Sequence, residues 1–390
     1  MKLFFVVLFT LGIALLPGCK KHDNPPAEQY KPDVAQAWMQ LHIRLSRATT
    51  GYNSVVTLRS MGYAGITLYE SLFPVQRGCG SLISEIGGRP FSADRHASHY
   101  FWPASANAAM ARITRLFFES TSDANKYAID SLETLFIRKF EQEANPQKIQ
   151  NAIAYGQKVA TVIFDLSKTD GGHEAYKHIT DPSYHPPTGP GYWIPTPPAF
   201  SAPVHPHWGS NRSFILNSAA RTQPGPHIPY AESVKSPFYQ MVNEVYTISQ
   251  SLSHEDTLIA RFWGDIPGNF NVPAHATNIV HQLIQSNHLD LVDAASVYAL
   301  HGIALNDAAI SVIKTKYKFN LLRPISYIRN VMQKPGWNSV IPTPAYPEYT
   351  AAHSVVSAAS ATVLEGIFGK NYRFSDHTYD AIYGTRSFNS

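Results

Sequence analysis

Apolar residues recur every three or four positions along most of this chain and almost nowhere at every second position. That period belongs to helices with one buried face, whereas strict alternation would mark half-buried strands. The clearest case runs Ile149, Ala152, Ile153, Gly156, Val159, Ala160, Ile163 and Phe164. Asn145-Pro146 in front of it reads as a cap followed by proline at the first helical position, and Gly171-Gly172 stops it. The same pattern predicts helices over 34–47, 54–73, 103–120, 123–143, 235–252, 274–287 and 291–316. Asp290 and Asp293 suit the start of the last, because carboxylates satisfy free amides and the dipole at a helix N-terminus. No internal repeat of fixed period is present, so the expected fold class is all-α. The side chains are 44% hydrophobic and 12% aromatic, and only 15% are charged, against about 25% in ordinary soluble domains. This excludes a disordered chain and a long coiled coil, and suits a large helical core. A net charge of +4 is too weak to argue for nucleic acid. Two cysteines exclude a disulfide scaffold and a four-cysteine zinc site.

Residues 171–230 break the helical pattern. They hold twelve prolines between Pro182 and Pro229 and six of the seventeen histidines. An irregular segment of this length inside a compact domain is usually functional or disordered. The run Gly191-Tyr192-Trp193-Ile194-Pro195-Thr196-Pro197-Pro198, continued by Pro206-His207-Trp208-Gly209, is rich in aromatics, which argues for packing on a surface. His205-Pro206-His207 is a weak metal motif, because proline restricts the backbone and no carboxylate is near in the sequence.

The first nineteen residues stand apart from the fold. Leu3 to Leu16 is almost wholly apolar after Met1-Lys2. It is shorter than the ~20 residues a membrane span needs, and it reads as a secretory signal core. Leu16-Pro17-Gly18-Cys19 then resembles the cleavage box of a bacterial lipoprotein signal. That resemblance implies lipidation of Cys19, export across the inner membrane and a lipid anchor in the cell envelope, with the outer membrane expected. An ordinary signal peptide is the alternative. Residues 20–33 are polar and carry prolines, as a tether would, and the domain then runs over 34–390. Cys79, the other cysteine, is expected to be a packed, inert thiol.

Candidate chemistry concentrates in the last eighty residues. From Ala308 to Pro347 there is no Asp or Glu, yet Lys314, Lys316, Lys318, Arg323, Arg329 and Lys334 fall there. Such a field favours an anion, although a solvated basic face is the plainer explanation. Lys316 and Arg323 are seven apart, two turns on one helix face, so their side chains can converge. Pro324 favours a break just after Arg323. A guanidinium fork suits a tetrahedral oxyanion and lysine adds a mobile point charge. Downstream, Val355, Val356, Ala359, Val363, Leu364 and Ile367 predict a helix that ends at Gly369, with Thr350 as its N-cap. His353 then sits in the first turn, beside free amides that favour an anion and placed for proton transfer.

These residues carry a family resemblance. Lys316-Tyr317-Lys318-Phe319-Asn320-Leu321-Leu322-Arg323-Pro324 resembles the first signature of the type 2 phosphatidic acid phosphatase/vanadium haloperoxidase superfamily. Pro347-Glu348-Tyr349-Thr350-Ala351-Ala352-His353-Ser354 is similar to its second. The Trp/Pro-rich stretches and Asn306-Asp307-Ala308 look like its bacterial haloperoxidase branch, so the likeness spans roughly 35–390. The resemblance implies a helix-bundle fold and an oxyanion pocket that holds vanadate in haloperoxidases or substrate phosphate in phosphatases. It implies that Lys316 and Arg323 bind oxyanion oxygens, with Lys316 also polarising peroxide, that the amide of Ala352 joins them, and that His353 is the acid–base group.

Two departures matter. The family Ser and Gly are Ala351 and Ala352 here, which removes one hydroxyl donor and adds a methyl group close to the anion. A third signature, Ser-Arg then five residues then His, supplies the vanadate ligand or the phosphorylated nucleophile in the family; these 390 residues do not contain it. The expectation is therefore a chain cut short, with no metal-ligating histidine of its own and little turnover in this form. Three functions follow: peroxide-driven halide oxidation with vanadate; phosphomonoester hydrolysis through a phosphohistidine, without vanadate; or an inactive oxyanion-binding lipoprotein. The partners expected are a small oxyanion with peroxide and halide, or a phosphomonoester, and a membrane only through the lipid.

Overall fold

A computed structural model describes residues 30–76, 80–88, 97–265 and 270–389. Cys19, Cys79 and the apolar segment before Cys19 lie outside them. The N-terminal half packs α1 (Asp33–Ala48), α2 (Ser54–Ser71), the single turn α3 (Leu82–Glu85), α4 (Trp102–Phe117), α5 (Asp123–Phe140) and α6 (Pro146–Ser167) into one bundle. Caps set several starts: Asn53 accepts from Val56 N, and Asn145 accepts from Gln147 N at 2.8 Å ahead of Pro146. The third and fourth predicted helices, 103–120 and 123–143, overran; α4 and α5 stop at Phe117 and Phe140.

After the irregular stretch and the short α7 (Ser218–Arg221) come α8 (Pro237–Ser249), α9 (His254–Gly264), α10 (Val272–Ser286), α11 (Leu291–Phe319), α12 (Pro324–Asn330) and α13 (Ala352–Phe368). The periodicity did not predict α9 or α12, which are only eleven and seven residues long. A two-stranded antiparallel sheet, β1 (Phe374–Asp376) with β2 (Arg386–Phe388), closes the described chain. The other regular elements among the described residues are helices, an all-α bundle as expected.

α11 is the axis of the molecule. Asp290 caps it through Val292 N at 3.0 Å and Asp293 N at 2.9 Å. It is long and apolar enough to cross a membrane by length and composition, yet 78% of its most apolar window is buried inside the protein. It crosses α2 at backbone contact. A Cβ on Gly65 would lie 2.6 Å from the Tyr298 carbonyl oxygen, and one on Gly302 would lie 2.9 Å from Gly62 Cα. Only glycine permits that approach. Inside α2, Arg59 pairs with Asp170 at 2.8 Å in full burial, and Tyr63 donates to the same carboxylate. That pair ties the end of α6 to the core.

The 171–230 insert is irregular, as predicted, and it packs. Trp193 and Trp208 are buried, whereas Tyr192 and Phe200 are exposed. Asp307 of α11 accepts from Phe214 N, Ile215 N and Ser218 Oγ at 2.7–2.9 Å, which anchors the end of the insert.

Candidate functional site

Lys316 lies one turn before the end of α11 and is 1% exposed. Burial, reinforced by the neighbouring Arg323 charge and partly offset by Glu348, lowers its pKa to about 7. Its Nζ donates to the carbonyls of Pro347 at 3.1 Å and Glu348 at 2.5 Å.

Arg323 does not sit on the same helix face as Lys316, contrary to the seven-residue reading. α11 ends at Phe319, and Asn320 turns the chain in the left-handed conformation at φ 48°. Asparagine tolerates that conformation better than most residues. Arg323 is extended (φ −79°, ψ 149°) and precedes Pro324 at the start of α12, so proline breaks the helix as expected. The insert holds this turn. Trp193 N donates to Asn320 O at 2.7 Å, Leu322 N donates to Gly191 O at 3.0 Å, and Tyr184 Oη donates to Asn320 Oδ1 at 3.1 Å. The two cations therefore converge through a braced turn, with the insert as the brace.

Arg323 Nε donates to Tyr346 O and Nη1 to Glu348 Oε2, both at 2.7 Å. Nη2 is buried and has no partner. The acid-free run thus ends on an acid that folds back onto it: Glu348 is one residue past the run and neutralises part of its field. Both cations also lie over the Tyr346 ring, at 5.2 and 4.8 Å.

His353 is in the first turn of α13, as expected, but Thr350 is not the cap. Ala351 holds the N-cap position and offers no side-chain hydrogen bond. The first-turn amides, Ala352 among them, have no capping side chain. His353 is exposed at the mouth of a cavity of about 1050 Å³ that Ala352, Tyr346, Val356, Leu58, Ile313 and Phe270 also line. A second pocket of about 260 Å³ lies on its other side. Partial withdrawal from water lowers the His353 pKa, and His275 and Lys316 push the same way. The Asp265 carboxylate and a hydrogen bond to the Trp263 carbonyl oppose them.

Asp265 and its partners escaped the sequence reading. Asp265 follows α9, lines both cavities and accepts from Tyr379 Oη at 2.9 Å. It is also 2.9 Å from His275 Nδ1, and His275 Nε2 is 2.7 Å from Asp376. These residues span more than a hundred positions and have no local spacing that could have signalled them.

His205 and His207 diverge. His207 meets Asp181 at 2.9 Å on the surface, so a carboxylate distant in sequence is adjacent in the fold. His205 is buried against Trp208, Nε2 has no partner, and burial lowers its pKa to about 4. The metal reading of this motif is not supported by their placement. Among the described residues no cluster of three or more His, Cys, Asp or Glu is arranged to hold a metal ion.

Comparisons with known proteins agree with this architecture. The family described as the VCPO second helical-bundle domain matches residues 296–388. No curated protein matches the chain. A crystal structure of a bacterial vanadium-dependent iodoperoxidase is similar with a TM-score of 0.79 and 28% identity, over 95% of this chain and 88% of that one. Holo and apo structures of a bacterial vanadium-dependent chloroperoxidase share the fold at TM-scores of 0.63 and 0.59, with 16% and 15% identity. They cover 88% and 85% of this chain, and 84% and 83% of theirs.

Proposed function

The chain belongs to the haloperoxidase/type 2 phosphatidic acid phosphatase superfamily, and from that premise we propose that its Lys316–Arg323–His353 site binds vanadate in a haloperoxidase-type centre. The observation that carries the reading is the buried Lys316–Arg323 pair with Arg323 Nη2 unpartnered, and the Lys316 charge also acts on His353. A buried guanidinium N–H without an acceptor is costly, and an anionic oxygen relieves it. Vanadate fits on that ground. Arg323 would hold it through Nη2, Lys316 through its charge, and the Ala352 amide from the helix N-terminus.

Bound vanadate would supply the Lewis-acid centre at which peroxide is activated for halide oxidation. The protein's share is electrostatic. Lys316, buried and near neutrality in its pKa, can take up a proton as the anion arrives. His353, facing Asp265, can hold or release a proton at the mouth of the cavity. Glu348 orients Arg323 through Nη1, leaving Nη2 for the ligand.

The phosphatase reading uses the same cations, since phosphate and vanadate are both tetrahedral. The iodoperoxidase likeness, at 28% identity, favours vanadate. With Ala351 in place of a hydroxyl donor, the site is expected to bind the oxyanion and oxidise bromide weakly. Titration with vanadate should show saturable binding that Arg323→Ala weakens at least tenfold, and equal affinity in both proteins would remove the site. Robust bromide oxidation with vanadate and peroxide would overturn the low-turnover expectation. Hydrolysis of p-nitrophenyl phosphate without bromide oxidation would favour the phosphatase reading.

We also propose that Cys19 carries a lipid anchor, which the Gly18-Cys19 box behind an apolar segment supports. Cys19→Ser should move the protein out of the membrane fraction, and retention there would sink the anchor.

A further inference from the structure

The end of α9 forms an edge, Trp263 and Asp265, that lines the smaller pocket together with His353 and His275, and Asp265 also shares the larger cavity with His353. His275 grips that same edge twice. Its ring stacks on Trp263, with centroids 5.0 Å apart at 19°, and its Nδ1 is 2.9 Å from Asp265 Oδ1. Its other nitrogen, Nε2, is 2.7 Å from Asp376 Oδ2. The side chains of His275, Asp265 and Asp376 are 2%, 3% and 0% exposed. An imidazole that faces a carboxylate at each nitrogen satisfies both only as the imidazolium, which donates from both. Asp376 is fixed in turn: its Oδ1 accepts from Thr378 N at 2.9 Å, Thr378 Oγ1 at 2.6 Å and Gln282 Nε2 at 3.1 Å. The far anchor of the clamp thus belongs to the 374–388 segment.

We propose that His275 is a positioning residue for His353: clamped between Asp265 and Asp376, it fixes the Trp263–Asp265 edge against which the His353 imidazole rests, so the docked 374–388 segment sets the geometry of the site. The inference rests on His353 being the acid–base group, but its test reads the imidazole and not turnover, so a failure to oxidise halide leaves it standing.

The charged groups facing His353 are Asp265, His275 and Lys316. Those facing His275 are Asp265 and Asp376. Loss of charge and loss of position have opposite signs here. The His275 charge by itself pushes the His353 pKa down, alongside burial and Lys316, so removing only that charge raises it. Loosening Asp265 and the Trp263 carbonyl removes the two groups that hold it up, so it falls.

The experiment is an NMR titration of the His353 imidazole in the full chain. His275→Gln should lower the His353 pKa by about 0.5 unit or more. Asp376→Ala should lower it too. Asp376→Asn removes the same charge but keeps an acceptor for Nε2–H, and should restore most of the wild-type value. Arg386→Gln cuts another tie of the segment, to Glu255 at 2.6 Å, and should leave His353 where it is. A rise with His275→Gln would overturn the proposal. Should that variant not fold, the position 376 pair decides: His353 titrating alike in wild type and Asp376→Ala would overturn it.

Discussion

α11 and α13 are both apolar helices, and each carries part of the site, yet they are held in opposite ways. In α11, twenty of twenty-nine residues are buried, and Lys316 rides on a helix that α2 grips at backbone contact around Tyr298 and Gly302. In α13, only Val356 and Ser360 of seventeen residues are buried. Ile367 is 37% exposed. Apolar periodicity reports that a helix exists, not how many sides its neighbours cover. The cation is therefore placed by close packing, and the imidazole by its first turn and the Trp263–Asp265 edge.

The largest expected effect attacks the α11 side. Gly65→Ala puts a methyl group 2.6 Å from the Tyr298 carbonyl oxygen, a backbone atom that cannot swing away. Overpacking of this kind costs about 1–3 kcal/mol, and a backbone clash belongs at the upper end. Urea denaturation should show a clear fall in midpoint with little change in slope. An unchanged midpoint would mean that α2 does not grip α11.

Protonation separates the regions next. The His275 pKa is raised to about 9: its two carboxylate partners outweigh the desolvation that acts against the charge. Its contribution to stability is therefore complete below the unfolded value near 6.5 and is lost as pH rises through about 9. Lys316 behaves in the opposite sense. With its pKa lowered from 10.5 to about 7, the folded state binds fewer protons between those values, and stability rises with pH across that window. Each slope is at most about 1.4 kcal/mol per pH unit. Between pH 7 and 9 they oppose each other. Lys316→Met should expose a falling stability and His275→Gln a rising one; parallel profiles for the two variants would break the assignment.

Oxyanion affinity follows from the same lysine. Sulfate is a suitable probe because its charge is constant over this range. Its affinity should fall as pH rises above about 7, approaching tenfold per unit at the limit of one coupled proton. Lys316→Met should bind more weakly and lose that dependence. A flat profile in the wild type would place the anion elsewhere.

Much of this was legible in the sequence, for local reasons. Asn145-Pro146 and Asp290 are caps readable in place, and the α11 pattern continues unbroken for eight turns. The Lys316–Arg323 convergence was read correctly in outcome and wrongly in cause. The turn at Asn320 and its brace from Gly191 and Trp193 depend on a contact between segments about 130 residues apart, which no helical wheel contains. Thr350 looked like a cap because threonine often is one, but the chain enters helix one residue later, at Ala352 after Ala351. Asp265, His275 and Asp376 are each unremarkable in sequence. Their meaning comes from a helix end, a helix start and a strand meeting in the fold.

The smallest expected effect tests how α13 is held. Val356 is 4% exposed and packs with Leu58, Leu305 and Ala309, one turn from His353. Val356→Ala removes buried methyl groups from that cluster and should cost about 1–2 kcal/mol. Ile367, near the other end, is partly open to solvent, and Ile367→Ala should stay within about 0.5 kcal/mol. The contrast follows from position alone, since both residues are β-branched and on one helix. Loss of Val356 should also disturb His353, because the first turn of α13 is seated through it. Loss of Ile367 should not, since it lies nearly four turns away and neither cavity is lined by it. Equal costs at the two positions would show that α13 is held along its whole length, and the distinction between the two helices would then be one of chemistry and not of packing.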